Sequence, residues 1–343
     1  MRLPVAPLHH SGVPHLLSVT DLDGATISDV IEHALVLKAL PPGDSRAALL
    51  AGRSVALLFD KQSLRTRVSF EIGIQRLGGS TTSLSGNEIG LGSREPLADI
   101  ARTLSRYVDA IVVRMLSHDG LTELAAASTV PVVNALSELE HPCQALADLL
   151  TLREHLGSLR GRQLAYVGDG NNVCHSLLLA GAAVGLTVRV ASPRGYGPDP
   201  AIVAQAARLA KWNGSLVEVV HDPVAAVRSA DAIYTDVWAS MGEEHEAAER
   251  RRAFAGFRVT AALVAESPDA LVMHCLPAHR GEEIDADVID GPRSIVFDQA
   301  ENRLHAQQAV LVQLLNARRA SPALHRMRGL AQSELAAGLP RSV

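Results

Sequence analysis

Several polar residues in this sequence stand at spacings that suit work on an anion and on an acyl carbon. The segment Phe59-Asp-Lys-Gln-Ser-Leu-Arg-Thr-Arg67 falls between an apolar run and a helical pattern. Ser63 is a good N-cap there, and Gly78-Gly79 after Leu77 is a good stop. The free N–H groups and the positive dipole end of such a helix favour an anion. Arg65 adds a guanidinium, and Ser63 and Thr66 add hydroxyl donors. Such a set could hold a phosphate dianion and stabilise it as it leaves. A capped helix with solvated arginines would read the same way, so this segment alone decides nothing. Farther along, His141-Pro-Cys-Gln144 opens a helix after the run VPVVN. Histidine and glutamine there can meet a carbonyl oxygen and an amide nitrogen. Arg114, just past DAIVV, could bring a further cation or be an ordinary strand-end arginine.

The second half carries three more polar constellations. Gly168-Asp-Gly-Asn-Asn172 follows QLAYV, Asp236-Val-Trp-Ala-Ser-Met-Gly242 follows DAIYT, and His274-Cys-Leu-Pro-Ala-His-Arg-Gly281 follows ALVM. Each falls at the carboxyl end of a strand, where open α/β sheets bind ligands. A carboxylate and a thiol at these ends could steady a cation or handle a proton. Gly168 and Gly170 make half a dinucleotide fingerprint, but Val173 occupies the third glycine's place, which argues against an NAD-dependent dehydrogenase. His274, Cys275 and His279 match no usual zinc spacing. Cys174 reads as a packed small hydrophobe.

The elements that must position these groups are short Val- and Ile-rich runs alternating with longer helical patterns. Strands are expected at 54–59, 109–113, 130–134, 163–168, 187–191, 216–220, 231–235, 270–274 and 294–297. Near-continuous apolar strands spaced by helices fit parallel sheets covered on both faces. Nine are many for one open sheet, so two sheets in two domains are expected, divided near Leu156-Gly-Ser-Leu-Arg-Gly161. A last amphipathic helix, roughly 299–317, is expected to pack back on the first domain. The chain has 343 residues, 47% apolar and 20% charged, an ordinary globular balance. A net charge of −5 argues against a nucleic-acid partner. Three cysteines (143, 174 and 275) form no disulfide framework. No apolar stretch is long enough to span a bilayer, and Met1–Leu17 lacks a signal peptide's apolar core. A cytoplasmic protein without membrane association is expected.

Ser63-Leu-Arg-Thr-Arg67, Arg114 and His141-Pro-Cys-Gln144 resemble the carbamoyl-phosphate motifs of the aspartate/ornithine carbamoyltransferase family, in the family's order. The three later constellations and Glu301-Asn-Arg303 resemble the signatures of its ornithine branch, and the similarity runs over about residues 50–317. The resemblance implies that Ser63, the backbone of Leu64, Arg65, Thr66 and Arg114 hold the phosphate, with Arg303 completing the pocket. His141 and Gln144 would bind the carbamoyl group, His141 and Arg65 polarising its carbonyl. Asn172, Asp236, Ser240 and Met241 would contact the backbone amine and carboxylate of ornithine. Cys275 and Leu276 would lie beside the reacting amine, with Cys275 positioning it or handling its proton.

At the scale of the molecule the resemblance implies two doubly wound α/β domains with parallel sheets and the active site in the cleft between them. Residues 1–155 would bind carbamoyl phosphate, with a C-terminal helix at about 318–335 packing back, and 156–317 would bind ornithine. The products would be L-citrulline and phosphate, in arginine biosynthesis, with no metal or organic cofactor. A homotrimer is implied, the 85–95 loop bringing Glu88 to a neighbouring subunit's site. Two positions depart from the family's pattern: Leu64, usually threonine, and Glu88, usually glutamine or histidine. They keep two rival readings open. One is a carbamoyltransferase for another amine (acylated ornithine, putrescine or lysine), and the other is a catalytically impaired binding or regulatory homologue.

Overall fold

The computed structural model describes residues 12–41, 43–44, 47–239 and 246–316. The chain forms two compact units. One comprises the chain up to Glu138 together with the part from Arg303 onward, and the other is Leu139–Asn302.

The first unit runs α1 (Gly24–Ala39), β1 (Ser54–Phe59), α2 (Leu64–Arg76), β2 (Ser80–Ser85), α3 (Gly86–Ile89), α4 (Leu97–Leu104), β3 (Ala110–Arg114), α5 (His118–Ala127) and β4 (Val132–Leu136). Its four strands are all parallel, in the order β2-β1-β3-β4. β1 and β3 are buried along nearly their whole length because helices cover both faces, which is why they read as unbroken apolar runs. Leu58, Ile111, Val113, Leu121, Leu124 and Val132 centre one core cluster.

The second unit runs α6 (Pro142–Leu156), β5 (Gln163–Val167), α7 (Asn172–Val184), β6 (Thr187–Ala191), α8 (Pro200–Asn213), β7 (Val217–Val220), α9 (Pro223–Val227) and β8 (Ala232–Thr235). It continues through α10 (Ala247–Ala253), α11 (Ala261–Ala265), β9 (Leu271–His274), α12 (Ala286–Ile289) and the start of α13 (Val296–Asn316). Its five strands are also all parallel, in the order β7-β6-β5-β8-β9. Val167, Ile233, Trp238, Phe254, Val272 and Ile284 lie in its core.

Both sheets reverse their winding at one place. In the first unit the chain moves outward from β1 to β2, then returns to the other side with β3 and β4. In the second it moves from β5 to β6 and β7, then returns with β8 and β9. The loops after β1 and β3, and those after β5 and β8, therefore part in opposite directions and leave a crevice at the strands' carboxyl ends. The polar segments singled out above follow these four strands, β4 and β9.

Two expected elements differ. Residues 294–297 are not a strand: Ser294 makes one isolated bridge with Val272, and α13 begins at Val296. The SIVF run there leads into a helix, with Ile295 and Val296 buried and Phe297 exposed, and a four-residue apolar run cannot be told from a strand. Conversely β2, Ser-Thr-Thr-Ser-Leu-Ser, has too little apolar character to read as a strand. It is a half-exposed edge, held by its register with β1. α13 closely matches the expected last helix, and its second half belongs to the first unit, where Gln308 Nε2 donates to the Gly73 carbonyl at 2.9 Å. The helix expected at about 318–335 lies outside the described residues. No helix among the described residues is long and apolar enough to cross a membrane.

Candidate active site

In the first unit the residues expected to hold an anion gather at the β1/β3 reversal. Ser63 caps α2 with its hydroxyl accepting from Thr66 N–H at 3.3 Å. Phe59 and Arg114 are in register as the last residues of β1 and β3, and Asp60 N–H donates to the Arg114 carbonyl at 2.9 Å. This brings the Arg114 side chain to α2, where Nη1 approaches Thr66 Oγ1 at 3.5 Å, the outer limit of a hydrogen bond. Arg303, from α13, donates through Nη2 to the same oxygen at 2.8 Å. Thr66, Arg114 and Arg303 are all buried. A hydroxyl that accepts from guanidinium groups turns its own proton outward, so Thr66 is set as a donor. Two buried guanidiniums and a helix N-terminus suit this place to an anion.

Arg65 is half-buried on the first turn of α2, whereas Arg67 is exposed and paired with Glu71 at 3.0 Å. Leu64 is 75% exposed, so its side chain is turned to the surface of the unit. Glu88 is exposed on α3, and its Oε2 accepts from Ser85 N–H at 3.3 Å.

His141 and Gln144 belong to the second unit, at the head of α6. His141 is the N-cap, with Pro142 at the first helical position, where the missing N–H costs nothing. Its own N–H donates to Ser176 Oγ at 2.9 Å, and Ser176 in turn donates to the buried Glu140 at 3.1 Å. Gln144, one turn into the helix, donates through Nε2 to Asp148 at 2.7 Å.

The residues expected to meet the amine gather at the β5/β8 reversal and the end of β9. Asp236, immediately after β8, is buried. Its Oδ1 accepts from Val237 N–H at 2.8 Å and from the Cys275 thiol at 2.9 Å. Its Oδ2 accepts from Asn171 Nδ2 at 2.8 Å. Asn171 also caps α7, its Oδ1 accepting from Val173 and Cys174 N–H. Tyr166 O–H reaches the same oxygen at 3.2 Å, and burial pushes that phenol well above its usual range, so it stays a donor. Sequence reasoning named Asn172 and passed over Asn171. The doubled asparagine was visible, but which of the two faces Asp236 depends on where α7 starts. Asn172, the first helical residue, is half-buried.

Cys275 is half-exposed, while Cys174 is fully buried and its thiol is pushed well up by that burial, as befits a packed hydrophobe. Leu276 sits at φ +58°, a left-handed conformation that costs a residue with a Cβ about 1–2 kcal/mol. Its N–H is held by His274 Nδ1 at 2.9 Å, and His274 Nε2 meets Glu283 at 3.1 Å, both side chains fully buried. One ligand atom each of Asp236, His274 and Cys275 lies within 4.8 Å of the others, close enough for a metal ion. Both ring nitrogens of His274 are engaged in these bonds, however, so coordination would break one of them. Glu283 and Arg250 are further polar residues of this unit that no motif announced. Arg250 is buried against Asp169 at 3.1 Å and donates to the Trp238 carbonyl at 2.9 Å. Ser240 and Met241 lie outside the described residues.

Residues 14–154 match the family model described as the aspartate/ornithine carbamoyltransferase carbamoyl-P binding domain, and residues 160–314 match that of its Asp/Orn binding domain. The chain is 57% identical over 308 residues to an ornithine carbamoyltransferase of Acidothermus cellulolyticus, covering 89% of this chain and 97% of that one. To one of Symbiobacterium thermophilum it is 53% identical, covering 87% and 97%. The solved structure of ornithine carbamoyltransferase from Pyrococcus furiosus superposes with a TM-score of 0.84 at 50% identity, covering 87% of this chain and 96% of that one. With both family models matched across nearly the whole described chain, and relatives this similar over almost their full length, the chain belongs to the aspartate/ornithine carbamoyltransferase family.

Proposed function

We propose that this protein transfers the carbamoyl group of carbamoyl phosphate to the side-chain amine of L-ornithine, giving L-citrulline and phosphate. The observation that carries the choice of amine is the chemistry around Asp236. A buried carboxylate at the carboxyl ends of β8 and β9, beside a thiol, suits an ammonium group. An acceptor bearing a second carboxylate, such as aspartate, would be repelled there.

In this reading Ser63, the Leu64 backbone, Arg65, Thr66, Arg114 and Arg303 hold the phosphate. His141 and Arg65 polarise the carbonyl, and Gln144 takes the carbamoyl nitrogen. Asn172, Asp236, Ser240 and Met241 hold the ornithine backbone, with Cys275 and Leu276 beside the reacting nitrogen. That nitrogen, once deprotonated, attacks the carbonyl carbon. A tetrahedral intermediate forms, the C–O bond to phosphate breaks, and phosphate leaves with the electron pair, taking up the proton that the attacking nitrogen sheds. The cationic groups around Thr66 stabilise the charge gathering on the leaving group. We assign residues 1–155 to carbamoyl phosphate and 156–317 to ornithine, with Arg303 of the latter stretch serving the phosphate. A cytoplasmic location agrees with three free cysteines.

A homotrimer is part of the proposal, with Glu88 contributed to a neighbouring subunit's site. It is supported by an apolar stripe on α2: Leu64, Val68 and Ile72, one turn apart, are 75%, 47% and 37% exposed.

The decisive experiment is citrulline formation by purified protein from carbamoyl phosphate and L-ornithine, with acetylornithine, putrescine, lysine and aspartate in parallel. Turnover with ornithine above all others is expected. Turnover only with another amine would overturn the choice of acceptor, and none with any amine would overturn the enzymatic reading.

A further inference from the structure

Asp148 belongs to no recognisable motif. It lies in the apolar run of α6 and is completely buried. Its Oδ1 is met at 2.7 Å by the side-chain amides of both Gln144 and Gln299, and its Oδ2 accepts from Tyr234 O–H at 3.2 Å.

The orientation of these amides follows from what each neighbour can do. A backbone N–H only donates, so the Gln299 atom 2.9 Å from His274 N is its oxygen. The Gln299 nitrogen must then point at Asp148. Oδ1 is therefore an acceptor, and an oxygen without a proton can be met by Gln144 only through its NH2. The other end of the Gln144 amide is Oε1, an acceptor. The same carboxylate thus orients Gln144 and, through Gln299, the backbone N–H next to Cys275.

We propose that Asp148 is a positioning residue that makes the site select a carbamoyl group, by holding Gln144 with its oxygen toward the carbamoyl NH2. The inference rests on the carbamoyl-transfer reading given above. An NH2 needs an acceptor, whereas the methyl of acetyl phosphate, otherwise nearly isosteric, needs none. With the amide reversed, two NH2 groups would face each other and the basis for the choice would vanish.

The test compares dissociation constants of carbamoyl phosphate and acetyl phosphate for the full-length wild type and Asp148→Leu. Leucine keeps roughly the volume but offers no acceptor, so nothing holds the Gln144 amide in one orientation. The preference for carbamoyl over acetyl phosphate should fall by about tenfold, with acetyl phosphate affinity little changed. In a Gln144→Met background the same substitution should leave the preference where Gln144→Met alone puts it. A merely structural role would weaken both ligands alike, and a folded Asp148→Leu protein with the wild-type preference would overturn the inference. Should that variant not fold, wild-type crystals with phosphonoacetamide, a stable amide-bearing analogue, decide. The Gln144 amide is expected on Asp148 and within about 3.5 Å of the analogue's nitrogen. An amide turned off Asp148, or remote from that nitrogen, would overturn it. Wild-type protein that binds carbamoyl phosphate without preference sinks this inference alone, whereas failure to bind carbamoyl phosphate sinks the functional reading as well.

Discussion

At the scale of single residues the chemistry rests on acceptors and donors whose orientation is forced by neighbours. Asn171 illustrates this, since one amide does two tasks: its oxygen caps α7 and its nitrogen holds Asp236. Replacing it with alanine removes both. Loss of the cap should cost about 1 kcal/mol of stability. Loss of the Asp236 contact should lower kcat/KM for ornithine by about tenfold or more while the KM for carbamoyl phosphate stays near its wild-type value. Steady-state kinetics with each substrate varied in turn checks this, and an unchanged ornithine kcat/KM would remove Asn171 from the amine end. Motif reading reached the neighbourhood but not the atom. The Gly-Asp-Gly-Asn-Asn run marks a strand-to-helix turn, whereas the choice between adjacent asparagines depends on a cap position one residue wide.

Secondary-structure elements present these residues correctly only if the turns between them stay closely packed. Gly170 shows the constraint. A Cβ there would lie 2.1 Å from Pro198 N and 2.2 Å from the Gly197 carbonyl carbon, both backbone atoms that cannot swing aside. Gly170→Ala should destabilise the protein by about 3 kcal/mol, at the upper end of overpacking costs. Calorimetry would read this as a fall in Tm of roughly 2–4 °C per kcal/mol. Gly256→Ala, whose added methyl meets nothing within 4 Å, is the control and should stay near wild type.

His175 ties α7 to two loops: its Nδ1 bonds the Leu139 carbonyl at 2.8 Å and its Nε2 accepts from Asp199 N–H at 2.9 Å. That pattern needs a neutral ring, and burial, the largest influence, holds its pKa below the usual 6.5. A histidine whose folded pKa is depressed contributes stability above pH 6.5 that is lost as pH falls through the folded value. Tm should therefore drop between pH 7 and about pH 5, and His175→Gln, which can make both bonds without titrating, should flatten that slope. Equal slopes in the two proteins would show that other groups dominate acid lability.

For the whole molecule the open quantity is assembly. Sedimentation velocity should give a species three times the chain's 36.4 kDa. Val68→Glu, in the middle of the exposed stripe on α2, should shift it toward monomer because a charge would be buried unpaired in the contact. A monomeric wild type would overturn the trimer, and an unshifted variant would remove α2 from the interface.

The alternation of buried runs and helical patterns was enough to determine two parallel α/β sheets, because strands covered on both faces must be apolar throughout. Residue types at the strands' carboxyl ends likewise determined where an anion and an amine could be handled. What only the tertiary structure decided were the relations that periodicity cannot carry. Arg303 meets Thr66 across 237 residues of sequence. The polar edge strand β2 exists through its pairing with β1, and the apolar entry to α13 resembles a strand until its hydrogen bonds are seen. Asp148 is one acidic residue in an apolar helix until Gln144, Gln299 and Tyr234 converge on it. Hydrophobic patterning is local and repeats at every element. A hydrogen-bond partner is set by direction and distance in space, which the spacing of residues along a chain does not encode.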